Sequence, residues 1–356
     1  MGKEFNFYRI CYFGHFDPEY SRNRILIKGF KENGFEVFLC NYSSKPSWVS
    51  GFKLIKKLLS LKGNFDFLMV GYSDARRDVL LAKMFTRRLV VWDAFYSLYD
   101  SWIWDRKLAL PKSLKAFYYW FLDWLNCKLS GRILLDTAEH IDYFIKEFSL
   151  KKAKFIKVLV GTDPEFFQPV DKKDNSVFTV GFWGKFIPLQ GIEFIVKAAK
   201  ILEANIDIKF KILGSGQEFG KVKKLAEGLK INNFEFLPRV EYKELPQFIA
   251  SLDVCLGIFG QTLKTQRVIP NKIYEAIAMA KPVITAETPA IRELFTNKED
   301  ILLCRASDPE DLAAKILQLK SDSIMREKIA QNGYRLFESQ CRPRHIVERL
   351  LLSLNI

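Results

Sequence analysis

Short apolar runs of strand length recur along this chain, separated by segments whose apolar positions fall at helical spacing. In the first half, residues 8–13, 36–40, 65–70, 89–92, 133–135 and 155–160 read as strands. Residues 20–33 read as a helix closed by Gly34, and further helical segments lie between the later strands. Residues 170–176 are polar and make the best linker. The second half repeats the scheme, with strands at 177–181, 209–213, 234–236, 254–258 and 283–286. Helices are expected at 192–202, 220–229, 244–251, 308–320 and 323–338, with a last one at 343–356. Alternation of this kind predicts an α/β protein with two parallel, doubly wound sheets, one in residues 1–170 and one in residues 171–340.

Residues 270–285 are the most informative block. Pro270 and Asn271 are helix-start signals, because proline tolerates a helix edge and Asn caps orphan N–H groups. Ile273, Ala276, Ile277 and Ala280 recur at helical spacing and should face a core. Lys272 and Glu275 lie three apart and so share a different face, turned away from that stripe. Pro282 ends the helix and Val283-Ile284-Thr285 resumes as strand. One ammonium, free backbone N–H groups and one carboxylate at a helix start suit a nucleoside diphosphate, with cations on phosphate and carboxylate on ribose hydroxyls. The competing reading is an amphipathic helix whose polar residues face water.

Composition narrows the class. The 356 residues are 49% hydrophobic and 27% charged, which describes a globular chain. No apolar run reaches the roughly 18–20 residues that span a bilayer. The N-terminus runs directly into a strand-like segment, with no secretory pattern. Six cysteines (11, 40, 127, 255, 304 and 341) are scattered without CxxC spacing and read as reduced core thiols of a cytoplasmic protein. The net charge of +14 divides as +9 over residues 1–170 and +5 over the rest, so an anionic partner is expected: membrane surface, nucleic acid or phosphorylated substrate.

Loops after strands carry ligands in doubly wound sheets. Gly181-Phe182-Trp183-Gly184-Lys185-Phe186-Ile187-Pro188-Leu189-Gln190-Gly191 is such a loop: its glycines let backbone approach phosphate, and Lys185 adds charge. Ile212-Leu213-Gly214-Ser215-Gly216 is a second strand-to-glycine turn, able to hold a nucleotide base or phosphate or to be a plain tight turn. The runs 184–191 and 212–216, and above all 271–285, resemble glycosyltransferase family 4. So do Gly34-Phe35-Glu36-Val37 and Val160-Gly161-Thr162-Asp163 with Phe167 and Pro169. The resemblance spans nearly the whole chain. It implies a GT-B fold, with two Rossmann-like domains facing across a cleft and residues 341–356 crossing back to the first. It also implies a hexosyltransferase that moves a sugar from a nucleoside diphosphate sugar with retention of anomeric configuration.

Within that resemblance Gly184 and Lys185 fall on the diphosphate loop, and Gln190 stands where a lysine is usual before Gly191. Lys272 would supply the missing charge beside Asn271, and Glu275 would hold the ribose. The glutamate usual eight residues before it is Arg267 here, so a standard donor sugar is not assumed. Gly214 belongs to the nucleotide side, and Arg239 and Val240 would meet the base. On the acceptor side stand Gly14, His15 and Asp17 after the first strand. Asp93, which closes strand 89–92, would point into the cleft as a catalytic residue, standing in for the histidine that the resemblance places against the transferred sugar. Asp136-Thr137 reads as a helix cap, with His140 one turn in.

No Asp-x-Asp and no metal-ligand spacing occurs, so catalysis without a metal or other cofactor is expected, Lys185 and Lys272 taking the leaving-group charge. Two basic, aromatic stretches, 52–59 and 112–125, have the composition of helices lying in a bilayer interface, or of helices buried against the sheet. A glycan or lipid-linked acceptor and peripheral contact with the inner face of the cell membrane follow as expectations. The alternatives are another GT-B enzyme such as a 2-epimerase, or a nucleic-acid-binding module. No nucleic-acid motif supports the last.

Overall fold

A computed structural model describes residues 8–42, 47–170 and 177–356. The N-terminal segment before residue 8 and linker residues 171–176 lie outside the described residues. The chain divides into two compact units. The first comprises residues 1–103, 107–163 and 342–356, and the second residues 104–106 and 164–341.

In the first unit the order is β1 (Arg9–Gly14), α1 (Ser21–Glu32), β2 (Glu36–Asn41), α2 (Trp48–Ser60), β3 (Phe67–Val70), α3 (Asp78–Phe85) and β4 (Leu89–Phe95). Then follow α4 (Leu114–Leu129), β5 (Arg132–Leu135), α5 (Ala138–Phe148) and β6 (Phe155–Lys157). The second unit has β7 (Phe178–Lys185), α6 (Ile192–Ile201), β8 (Ile208–Ser215), α7 (Phe219–Gly228), β9 (Phe234–Leu237), α8 (Leu245–Ala250) and β10 (Val254–Leu256). It continues with α9 (Asn271–Ala278), β11 (Val283–Ala286), α10 (Pro289–Arg292), β12 (Leu302–Cys304), α11 (Pro309–Ser321) and α12 (Ser323–Leu336). The last helix, α13 (Pro343–Leu354), belongs to the first unit.

Each unit is built on a six-stranded parallel sheet, ordered β2-β1-β3-β4-β5-β6 in one and β12-β11-β10-β7-β8-β9 in the other. Central strands are buried along their whole length, as β3 is, because helices cover both faces. In the first unit α2 to α5 cover one face with a core around Leu54, Val79, Trp92 and Phe144. Helices α1 and α13 cover the other, around Phe30, Met69 and Val347. Gly29 lets α1 and α13 meet: a Cβ there would sit 2.3 Å from the Pro343 carbonyl oxygen.

The doubly wound sheets, and strand–helix alternation throughout, are as the pattern predicts. Several bounds differ. Strand β7 runs to Lys185, so residues 182–185, read as loop, are strand paired with β8, while β6 stops at Lys157 and β10 at Leu256. Strand β4 runs on to Phe95, three residues past its apolar run, because Asp93 is paired inside the protein. Strand β12 and the short helix α10 were not read from the pattern. All six cysteines are free and buried. Among the described residues no helix is long and apolar enough to cross a membrane.

Candidate functional site

The second sheet reverses its winding at β7: β8 and β9 lie to one side of it, β10 to β12 to the other. Connections leaving β7 and β10 therefore diverge, which opens a crevice at the carboxyl ends of those strands. Gly184 and Gly214 sit there in register on β7 and β8, at φ +141° and +137°. A Cβ on Gly214 would lie 2.0 Å from the Gly184 carbonyl oxygen, so the turn admits only glycine.

Helix α9 starts beside this turn. Pro270 is its cap, in extended geometry and without a side-chain hydrogen bond. Asn271 is the first helical residue and does not cap the helix as the sequence suggested. Nor does the helix turn a polar face to water. Lys272 to Ala278 are all buried, because β10, β11 and α12 enclose α9. Lys272 and Glu275 instead point at β7. The Lys272 ammonium donates to the Gln190 amide oxygen at 2.5 Å and lies 3.4 Å from the centroid of the Phe182 ring. A Cβ placed on Gly184 would be 3.4 Å from the same nitrogen. Glu275 Oε2 accepts a 2.6 Å hydrogen bond from the Trp183 indole. Burial pushes the Lys272 ammonium well below the usual lysine range, and Glu275 pulls it back in part. The result is a cation whose hydrogen-bond partner is a neutral amide and whose flank is an aromatic face.

Of the residues expected on the donor side, the fold gathers Gly184, Gly214, Lys272 and Glu275. Asn271 is half-buried at the start of α9. Lys185 ends β7 with its side chain exposed. Arg239 is exposed and Val240 half-buried, both beyond the edge strand β9. Two residues gain roles that sequence reasoning missed. Gln190 orients the Lys272 ammonium, and Trp183, flagged only by its place before Gly184, fixes the carboxylate of Glu275.

On the first unit, Gly14 takes φ +129° and leads into His15. The His15 backbone N–H and Nδ1 both bond Asp78, at 2.6 and 2.7 Å, while Nε2 faces Ser50 Oγ at 2.8 Å. The Asp78 carboxylate accepts from Nδ1. Asp17 is exposed and caps its own loop through the Glu19 N–H. Asp93 does not point into a cleft. It lies inside β4, fully buried, and accepts three hydrogen bonds from Arg22 at 3.0–3.2 Å. Arg22 Nη1 completes the set by donating to the Val158 and Leu159 carbonyls. Burial pushes the Asp93 carboxyl up and the Arg22 guanidinium holds it down. Thr137 caps α5, and His140 is buried with Nδ1 on Asp136 at 2.5 Å.

Two parallel doubly wound sheets of this kind define a GT-B protein, and comparison with known proteins agrees. Residues 163–336, just under half of the chain, match the family model of glycosyl transferases group 1. An uncharacterised glycosyltransferase of Methanocaldococcus jannaschii is 25% identical over 43% of this chain and 41% of its own length. The poly(glycerol-phosphate) alpha-glucosyltransferase of Bacillus subtilis is 26% identical over 60% of this chain and 32% of its own. The chain thus spans less than half the length of either. The crystal structure of Anabaena Alr3699/HepE in complex with UDP-glucose covers 98% of this chain and 99% of its own, with a TM-score of 0.70 at 15% identity, a likeness of fold.

Proposed function

We propose that this chain is a retaining hexosyltransferase that takes its sugar from a nucleoside diphosphate sugar and delivers it to a glycan or lipid-linked acceptor. The observation that carries this reading is the Lys272 ammonium, buried beside Gly184 without a carboxylate as its hydrogen-bond partner. A diphosphate laid over Gly184 and the start of α9 would complete its electrostatics. Glu275, held by Trp183, would accept from ribose hydroxyls. Lys185 at the mouth of the turn adds a second cation.

The chemistry then follows from charge. The acceptor hydroxyl oxygen bonds to the anomeric carbon as the bond to the diphosphate oxygen breaks. The leaving group keeps that electron pair, and the hydroxyl proton passes to it. Lys272, Lys185 and the α9 N–H groups stabilise the charge that develops. Among the described residues no three His, Cys, Asp or Glu side chains are grouped to hold a metal ion, so this reading routes no step through one. The glycan acceptor is supported by a relative of Rhizobium meliloti that is named for lipopolysaccharide core biosynthesis. The first unit would receive it near His15, on the cytoplasmic side of the cell membrane.

The test is a thermal-shift panel of nucleoside diphosphates and their sugars, since a ligand at one hundred times its Kd stabilises by about 2.7 kcal/mol. One nucleotide series should raise the Tm of the wild type and leave Lys272→Met unmoved. Equal shifts in both proteins would refute the site. Product analysis then separates transfer, with the anomeric configuration of the donor kept, from isomerisation of the sugar without an acceptor.

A further inference from the structure

Exposed large hydrophobic side chains are not spread evenly. Of 24 among the described residues, 14 lie between Trp48 and Phe121. Most sit on α2, α3 and α4, which pack in series on one face of the first sheet. On α2, Leu54 and Leu58 face the core, while Trp48, Phe52, Ile55 and Leu59 form a second stripe at intervals of four, three and four residues. Trp48 is 90% exposed and Phe52 71%. Met84 and Phe85 continue the surface on α3. On α4 the core side is anchored by Asp123, which pairs with Arg76 and accepts from Ser97, and the opposite side carries Leu114, Phe117, Tyr118 and Phe121. A patch on this scale marks an interaction surface.

Its charge identifies the occupant. From residue 47 to 129 the chain has 14 Lys and Arg, seven Asp and no Glu. The only acids on α2, α3 and α4 are Asp78 and Asp123, and both are buried. Every exposed charge on the three helices is a lysine: Lys53, Lys56, Lys57, Lys83, Lys115 and Lys128. Lys112 stands exposed just before α4. Aromatic and aliphatic stripes bordered by lysines alone fit an interface whose core is hydrocarbon and whose rim is anionic.

We propose that the α2–α3–α4 face of the first unit is a monotopic docking surface for an anionic lipid bilayer, with Trp48, Phe52, Phe117 and Tyr118 entering the headgroup boundary and the lysines meeting lipid phosphates. The inference stands on the first unit alone and does not depend on the donor site.

Vesicle flotation of the whole protein tests it, with phosphatidylcholine alone or mixed with phosphatidylglycerol. Binding should require phosphatidylglycerol, weaken with salt, and fall about fivefold for each of Lys53, Lys56, Lys112 and Lys115 changed to Glu. The double variant Phe52→Ser, Phe117→Ser should lose binding while its nucleotide-induced thermal shift stays that of the wild type. These side chains are exposed, so the fold should survive. Three results would overturn the proposal: no flotation with either vesicle, equal flotation with both, or a wild-type dimer in solution that the serine variant dissociates, which would assign the face to a second copy.

Discussion

The two units share a winding plan and treat buried charge in opposite ways. In the first, each buried guanidinium faces a carboxylate: Arg22 meets Asp93, and Arg76 meets Asp123. In the second, Lys272 is as deeply buried but is hydrogen-bonded to an amide and stacked on a ring. A buried ion pair whose hydrogen bonds are filled locks neighbouring elements together, here α1 to β4 and to the chain after β6. A buried cation satisfied by a neutral dipole costs stability, and it retains its field for an incoming anion. The first arrangement belongs to a scaffold. The second suits the diphosphate site proposed above.

The sharpest way to break this contrast is to remove both cations in turn. Lys272→Met should cut transferase activity by at least about a hundredfold to a thousandfold, the scale of losing one preorganised charge-stabilising group. Its stability should hold or rise, because a desolvated ammonium is replaced by a side chain suited to the site. Arg22→Met should do the reverse. Leaving Asp93 buried and alone should cost about 3–5 kcal/mol in urea unfolding, and the double variant Arg22→Met, Asp93→Leu should recover much of that loss. If Lys272→Met were the less stable of the two single variants, the contrast between scaffold and site would fail.

How far the sequence foretold this contrast depends on what each element must satisfy. Strands such as β3 and β11 were legible because a parallel strand covered on both faces needs an uninterrupted apolar run. The glycine turns at 184 and 214 were legible because only glycine tolerates their geometry. Asp93 misled, since a carboxylate after an apolar run reads as a strand end, and nothing local shows that Arg22, 71 residues earlier, lies across from it. The burial of Lys272 was hidden for the same reason. Helical periodicity reports which side of α9 is apolar, but not that other elements enclose the polar side as well. Gln190 looked like a lost cation, while its amide oxygen positions a cation on another helix.

A smaller effect tests the carboxylate half of the site. Trp183→Phe keeps the ring but removes the N–H that holds Glu275. A hydrogen bond to a charged group is worth about 1.5–3 kcal/mol. Donor KM should rise about tenfold, with kcat little changed, if Glu275 serves the ribose in ground state and transition state alike. A variant with unchanged KM and diminished kcat would place Glu275 at the reacting sugar instead.

The mildest prediction follows from the direction of the Lys272 shift. Its folded-state pKa lies below the unfolded value, so between the two the unfolded chain binds more protons than the folded one. Stability should therefore rise with pH across that window, and the burial penalty should be fully present below it. A bound diphosphate restores the ammonium, so nucleotide binding should take up a proton wherever the free lysine is neutral. Affinity should then fall with rising pH by less than tenfold per unit, the ceiling for one linked proton. Calorimetry of the nucleotide chosen by the thermal-shift panel, run in two buffers of different ionisation enthalpy, reads that uptake directly. Arg22, which Asp93 keeps charged throughout, offers no such linkage, so Arg22→Lys should leave the proton count unchanged. Uptake that persists in Lys272→Gln would move the titrating group elsewhere and remove the electrostatic basis for reading α9 as the donor's seat.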